Sequence, residues 1–236
     1  GPGGFAAALG AVRQGARVLL IDQHSGPGGV AAFSGCPVFS GISTLEPGHY
    51  NSVTSEFIAE LQKLDAARII GHTLTSSEVA VQLAMSRLLQ KQGVKLLFYA
   101  TLVGAEVSQH HIESVQVFCA GQHMSFTAAS FVDASGDAVL AHLAGAKVIC
   151  GTPEDSMTRT VLFRLANVKS FDKSSLKERF ANKKFPYPIQ DCFMGTTPCD
   201  GTVLMNLTAV AGDALDPWDL TRMDLELREQ VAIILP

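Results

Sequence analysis

At the start of the chain a stretch rich in small apolar residues is followed by a short apolar run. Phe5–Gln14 is rich in alanine and is followed by Gly15, which predicts a short helix that ends at a glycine. Arg17–Ile21 is then a mainly apolar run that ends at Asp22. Such a run is typical of a strand buried on both faces of a parallel sheet. The pattern therefore predicts the later part of a βαβ unit.

Two helices and a set of short strands are predicted next. Asn51–Leu64 and Ser76–Gln92 have helical periodicity, and Ser76 offers a helix cap. Four stretches of high β-propensity follow, separated by glycine and polar residues, which predicts one strand and then an antiparallel meander. The four stretches are Lys95–Tyr99, Leu102–Val107, Ile112–Cys119 and His123–Phe126.

The rest of the chain predicts a mixture of strands and helices. A short strand over Ser130–Val132 is expected to enter a turn, and Val139–Ala144 to form a small helix. Further on, the pattern predicts strands at Thr158–Leu165 and Gly201–Thr208, an exposed helix at Lys173–Lys184 and an amphipathic helix from Leu220 to about Ile234.

Composition narrows the class of protein. The chain has 236 residues, of which 47% are hydrophobic and 17% charged, so it can bury a core and is not a disordered chain. A net charge of −4 gives no electrostatic reason to expect nucleic acid. Charges interrupt every apolar stretch before the roughly 20 residues of a bilayer span, so we expect no membrane partner. Five cysteines without a Cys-x-x-Cys pair argue against a disulfide framework, so we expect a reducing, cytoplasmic location.

A glycine cluster marks the candidate chemistry. Gly1 and Gly4 fit the second and third glycines of the G-x-G-x-x-G fingerprint, with Pro2 and Gly3 between them. Asp22 lies 18 residues after Gly4, close to the separation of about 20 at which the fingerprint places a ribose-binding acid. This spacing predicts a nucleotide site, although a glycine-rich turn with an acid at the end of a strand remains the alternative.

Two further motifs point to one family. A second glycine loop, with Gly28 and Gly29, follows the acid directly, and V-D-A-S-G-D at 132–137 leads into a helix that ends in A-G. A GG loop after VLLIE and an I-D-A-T-G-D signature are features of FAD-dependent oxidoreductases with two dinucleotide-binding domains. The chain resembles that family over most of residues 1–165 and again over 201–236.

The resemblance implies a fold, a cofactor and a set of binding residues. The implied class is α/β, a Rossmann-like FAD-binding domain with a parallel sheet and an inserted antiparallel β-meander, plus part of a substrate or cap region. The implied ranges are 1–165 for the FAD-binding domain, 166–218 for the cap and 219–236 for a helix leading out of it. We expect a fragment, because the family's first strand and final flavin-binding segment have no counterpart. The residues expected to bind FAD are Gly1, Pro2, Gly3, Gly4, Asp22, Gln23, Gly28, Gly29, Val103, Ala134, Ser135, Gly136 and Asp137.

Catalytic residues are not identified by the sequence. A flavin carries the hydride chemistry itself, so no catalytic triad or metal is required. Cys36 and His49 could reach a substrate, but each is more readily explained as a structural residue, and no metal site is expected among the five cysteines. Weaker candidates are His24 near an adenosine, the turn residues His110 and His111, the strand arginines Arg159 and Arg164, and the pair Cys192 and Cys199.

The expected activity is hydride transfer between a small organic substrate and FAD, and homo-oligomerisation is possible. An NAD-dependent dehydrogenase uses the same fingerprint and is one alternative. A noncatalytic flavoprotein-like scaffold is the other.

Overall fold

The computed structural model describes residues 1–42, 52–149, 151, 157–170, 172, 178, 186–187 and 193–234. The chain divides into two compact units, Gly1–Ile149 and Cys150–Pro236. The predicted domain ranges, with a boundary after residue 165, stay a prediction. In the first unit the elements are α1 (Pro2–Arg13), β1 (Leu19–Ile21), α2 (Val30–Phe33), β2 (Val38–Ser40), α3 (Ser52–Lys63), β3 (Arg68–Ile70), β4 (Thr73–Thr75), α4 (Glu78–Lys91), β5 (Lys95–Leu97), β6 (Ala100–Ser108), β7 (His111–Cys119), β8 (Gln122–Thr127) and α5 (Val139–Leu143).

The helices of the first unit lie where periodicity predicts them. Helices α1, α3 and α4 each begin and end within a few residues of the predicted bounds. Ser77, and not the predicted Ser76, caps α4 by accepting a hydrogen bond from the Ala80 N–H, because the Ser76 hydroxyl donates to the Ala66 carbonyl instead. Leu9, Leu61 and Leu89, one from each helix, are fully buried in a shared hydrophobic core. Burial of this apolar surface is the main force that holds the three helices together.

The parallel sheet has two strands within the described residues, and the sequence predicts their surroundings only in part. β1 pairs in parallel with β5, with Leu20 opposite Leu96, and these are the strands of a two-stranded sheet within the described residues. The prediction that β1 is buried on both faces is wrong, because Leu19–Ile21 are only partly buried. The strand predicted at Ser130–Val132 is also wrong: the backbone there is irregular and Val132 is 69% exposed. A strand forms only where a neighbour completes its hydrogen-bond ladder, which a local sequence pattern cannot reveal.

Two antiparallel sheets complete the first unit. The predicted meander is confirmed as β6-β7-β8, with a register shift beside Gly104. A second sheet, in the order β2-β4-β3, was not predicted. Its strands are three residues long, too short to show an alternating pattern, and Gly71 at φ +55° turns the chain between β3 and β4.

The second unit is an antiparallel sheet with a long helix. Its elements are β9 (Leu162–Leu165), β10 (Phe193–Thr196), β11 (Val203–Asn206) and α6 (Pro217–Ile234), and the sheet order is β10-β11-β9. Helix α6 begins earlier than predicted because Asp216 accepts a hydrogen bond from the Trp218 N–H and Pro217 occupies the first turn. Met223 and Leu227 of α6 are buried against Val210. Apart from position 178, the helix predicted at Lys173–Lys184 lies outside the described residues.

Candidate cofactor-binding site

The glycines at the start of the chain form the N-terminus of α1. Gly1 is the N-cap residue, and its carbonyl accepts a hydrogen bond from the Phe5 N–H. Pro2 has no N–H, so the first-turn donors without an intrahelical acceptor are the N–H groups of Gly3 and Gly4. A Cβ placed on Gly1 or Gly3 would meet nothing within 4 Å, so this end of the helix is open. Free N–H groups and the helix dipole favour an anion there.

The second glycine loop packs directly against the first. A Cβ on Gly29 would lie 2.8 Å from Gly1 Cα, and Gly29 has φ +52° and ψ −129°, a backbone conformation that side chains rarely adopt. Gly28 is constrained differently, because a Cβ there would lie 2.6 Å from the Cβ of Ala32. Gly29 therefore shapes the contact with Gly1, whereas Gly28 is required by the packing of α2.

Asp22 closes one side of this glycine cluster. It follows β1, its N–H donates to the Leu97 carbonyl, and its own carbonyl accepts from the Ala100 N–H. The side chain is 10% exposed, and Oδ2 lies 3.8 Å from the Gly1 backbone nitrogen. The carboxylate that the sequence assigns to a ribose thus lies beside the glycines that the sequence assigns to a pyrophosphate.

Part of the V-D-A-S-G-D segment reaches the same place. A Cβ on Gly4 would lie 3.3 Å from Ala134 Cβ, so the absence of a side chain at Gly4 permits this close approach. Gly136 has φ +90°, and Asp137 is exposed. The structure therefore brings together Gly1, Gly4, Asp22, Gly29 and Ala134.

The polar side chains of that segment cap helix α5. Asp133 accepts hydrogen bonds from the N–H and Oγ of Ser135 and from the Ala141 N–H. Burial opposes ionisation, but these hydrogen bonds prevail and lower the pKa of Asp133. Ser135 Oγ also accepts from the Val139 N–H. The carboxylate that bonds the start of this helix is therefore that of Asp133.

The remaining predicted residues are less closely tied to the cluster. Gln23 is exposed next to Asp22. Val103 is exposed at the register shift of β6, three residues after Ala100, whose N–H is bonded to Asp22. Their assignment to FAD stays a prediction.

One ring stack and one backbone hydrogen bond at this site were not predicted. His24 Nδ1 lies 2.9 Å from Asp22 Oδ1, and the imidazole stacks on the ring of Phe33 with centroids 4.5 Å apart. Tyr99 has φ +57°, unusual for a bulky residue, and its N–H donates to the His24 carbonyl. The sequence predicts only a contact of His24 with adenosine, and its contact with the Asp22 carboxylate was not predicted.

The other candidate residues are not among those that form this cluster, or lie outside the described residues. Arg159 forms an ion pair with Asp224 at 2.7 Å, and both belong to the second unit. His110 and His111 are exposed at the β6–β7 turn. Cys36, Cys119 and Cys199 form no disulfide within the part of the chain that the structure describes. His49 and Cys192 lie outside the described residues.

Two searches of the described part of the chain complete this survey. It contains no group of three or more His, Cys, Asp or Glu side chains arranged to hold a metal ion. Nor does it contain a helix both long and apolar enough to cross a membrane.

The cluster fits a dinucleotide in its chemistry and shape. Open N–H donors at α1 suit a pyrophosphate, and the carboxylate of Asp22 suits ribose hydroxyl groups while disfavouring a 2′-phosphate. Gly29 has no side chain to fill the space beside Gly1. The residues present are therefore compatible with the adenosine and pyrophosphate parts of FAD.

Comparisons with solved structures agree with this type of fold. The structure of BexE, described for oxidation during BE-7585A biosynthesis, matches with a TM-score of 0.53 at 14% identity, over 90% of this chain and 43% of that chain. Weaker likenesses are to the Diels-Alderase PyrE3 of pyrroindomycin biosynthesis (TM-score 0.48, 13% identity, 88% of this chain and 44% of that one) and to THI4 of Thermovibrio ammonificans (0.44, 17%, 62% and 60%). The chain thus spans between 43% and 60% of the length of these proteins.

Sequence comparison assigns the family. No curated protein matches the chain significantly. The family model described as FAD dependent oxidoreductase matches residues 1–235, nearly the whole chain. This match agrees with the α/β architecture and with the glycine and carboxylate cluster, and it confirms FAD as the cofactor expected from the sequence. The chain belongs to the FAD dependent oxidoreductase family.

Proposed function

We propose that this chain is part of a flavoenzyme that transfers a hydride between a small organic substrate and FAD. The observation that carries the proposal is the convergence of Gly1, Gly29 and Asp22, three residues from separate segments that match the needs of a dinucleotide. The flavin supplies the hydride chemistry when bound, and the protein binds and orients the reactants.

Within this proposal the chain's own residues have distinct tasks. The N–H groups of Gly3 and Gly4 bind the pyrophosphate, and Asp22 accepts a ribose hydroxyl. The close approach of Ala134 to Gly4 supports contact of the 134–137 turn with the same cofactor. We assign cofactor binding to residues 1–165 and the substrate or cap region to 166–218, with the helix at 219–236 leading out of it.

A competition titration tests the proposal. The purified chain is titrated with FAD while flavin fluorescence is followed, and then challenged with NAD and with FMN, which lacks the adenosine half. We expect FAD to bind, NAD to compete poorly and FMN to bind more weakly than FAD. Preferential binding of NAD would instead favour a nicotinamide-dependent dehydrogenase, and a chain that binds neither dinucleotide would favour a noncatalytic scaffold.

Hydride transfer is tested by a separate measurement, the reduction of the bound flavin. With FAD bound, candidate small organic donors are added without oxygen, and the visible absorbance of the flavin is recorded. Loss of that absorbance on addition of a donor is expected for hydride transfer to the flavin. Bound flavin that no donor reduces, and that in its reduced form no organic acceptor reoxidises, would contradict the proposed activity.

A further inference from the structure

Among the described residues, hydrogen bonds reach one of the two oxygens of the Asp22 carboxylate. The backbone N–H of His24 and its Nδ1 atom both lie 2.9 Å from Asp22 Oδ1. A carboxylate oxygen can accept two such hydrogen bonds, so one neighbour occupies most of the capacity of Oδ1. The other oxygen, Oδ2, lies toward the Gly1 nitrogen at 3.8 Å.

The imidazole is itself held in place. Its ring is stacked almost parallel to the ring of Phe33, with an interplanar angle of 11°. Phe33 is the last residue of α2, whose N-cap is Gly29. The stack therefore connects the carboxylate to the glycine loop that touches Gly1.

The backbone around His24 is fixed by the neighbouring strand. The His24 carbonyl accepts from the Tyr99 N–H at 3.0 Å, and the Asp22 carbonyl accepts from the Ala100 N–H at 3.1 Å. Tyr99 makes this contact from a left-handed backbone conformation, at φ +57°. The backbone of His24 is thus fixed by the hydrogen bond from Tyr99, and its ring by the stack on Phe33.

We propose that His24 is a positioning residue: it fixes the orientation of the Asp22 carboxylate so that Oδ2 is the oxygen that receives the ribose hydroxyl of the cofactor. This inference rests on the proposed function. Without the imidazole, one of the two hydrogen bonds to Oδ1 is lost and the backbone N–H of residue 24 remains. The carboxylate then has more freedom about its terminal bond, and part of the binding energy is spent on ordering it. The geometry also assigns the imidazole proton to Nδ1, since an ionised carboxylate only accepts.

The ligand-free protein provides the first test. The protonated ring nitrogen of His24 is identified by NMR at a pH where the ring is neutral, in the wild type and in Asp22→Ala. We expect the Nδ1–H form in the wild type and a shift toward the mixture of an exposed histidine in the variant. His123 is the matched control, because it also lies against a phenylalanine, Phe118, and forms no ion pair among the described residues. The same tautomer mixture for His24 in both proteins would overturn the inference.

Ligand binding provides the second test. ADP and 2′,3′-dideoxy-ADP compete with FAD for the wild type, His24→Ala, His24→Asn and His123→Ala, after circular dichroism shows that each variant is folded. We expect His24→Ala to weaken ADP about 5- to 10-fold, within the range of the net contribution of one typical hydrogen bond. Dideoxy-ADP, which lacks the hydroxyl groups, should change little. His24→Asn places an amide N–H near the position of Nδ1 and should restore much of the loss.

A double-mutant comparison separates positioning from general damage. In an Asp22→Ala background, adding His24→Ala should cause little further loss, because the residue acts through that carboxylate. Equal losses for ADP and dideoxy-ADP, or additive losses in the double variant, would overturn the inference while FAD binding by the wild type stands. A wild type that binds neither FAD nor ADP would overturn the proposed function and this inference with it.

Discussion

The contact between Gly29 and Gly1 predicts the effect of adding one methyl group. In Gly29→Ala the new Cβ would lie 2.8 Å from Gly1 Cα and 3.4 Å from Gly1 N. Ordinary carbon contacts are about 3.5–4.0 Å, so the two segments must separate by roughly 0.7 Å or more. The obstructing atoms are backbone and cannot rotate away. The backbone of Gly29, at φ +52° and ψ −129°, adds strain for any residue with a side chain.

These two effects set the expected magnitude. Backbone strain of this kind costs about 1–3 kcal/mol, and the displaced contact adds to it, so we expect a loss of about 2–4 kcal/mol in the free energy of unfolding. If the free protein relieves the strain by moving the two segments apart, binding must restore their contact. Each 1.4 kcal/mol of strain restored in this way lowers FAD affinity about tenfold. Urea unfolding followed by circular dichroism measures the stability, and a fluorescence titration measures the affinity.

Gly26→Ala is the matched control in the same loop. Gly26 is buried, its φ is not positive, and a Cβ there meets only ordinary contacts, the nearest being Gln82 Oε1 at 3.5 Å. We expect a change within about 1 kcal/mol, in either direction. If Gly29→Ala were as stable as Gly26→Ala and bound FAD equally well, the close approach of the two glycine segments would be refuted.

Three further predictions concern single side chains. Asp22→Asn should weaken FAD about 10- to 100-fold, because a neutral acceptor replaces a charged one, and unchanged affinity in a flavin titration would contradict its role. The lowered pKa of Asp133 means that its ionised form stabilises the fold fully above the unfolded value of about 4, and that this contribution is lost as the pH falls through the folded value. Asp133→Asn should flatten that acid dependence in unfolding experiments and cost about 1 kcal/mol at neutral pH, whereas an unchanged pH profile would contradict the capping assignment. Gln230→Met should lower the free energy of unfolding by about 2 kcal/mol or more, since the buried amide is hydrogen-bonded to both the N–H and the carbonyl of Ala209. Urea unfolding followed by the fluorescence of Trp218, on the same helix, measures this loss, and an unchanged urea midpoint would argue against the pairing.

Local patterns in the sequence predict the parts of this site that depend on short stretches of chain. The 3.6-residue period and the capping serine identify α4, and the small residues of α1 followed by an apolar strand place Asp22 near Gly1. These features follow from residues close together in the chain. The family resemblance then supplies what periodicity alone does not: FAD as the cofactor, which the family match confirms.

Features that depend on distant segments could not be predicted in this way. The irregular backbone before Asp133 carries a strand-like sequence, but pairing depends on a neighbour that no local pattern specifies. Likewise, the stack of His24 on Phe33 exists because α2 turns back toward β1. Gly28 and Gly29 look equivalent in the sequence, yet one meets Ala32 and the other meets Gly1.

The central claim is that the glycine cluster and Asp22 form the cofactor site, and chemical-shift mapping tests it most directly. The ¹⁵N-labelled chain is titrated with FAD, and the backbone amide signals are followed residue by residue. We predict saturable shifts that concentrate at Gly3, Gly4, His24, Gly29 and Ser135. No shift at saturating FAD, or saturable shifts that leave Gly4 and Gly29 unmoved, would contradict the account.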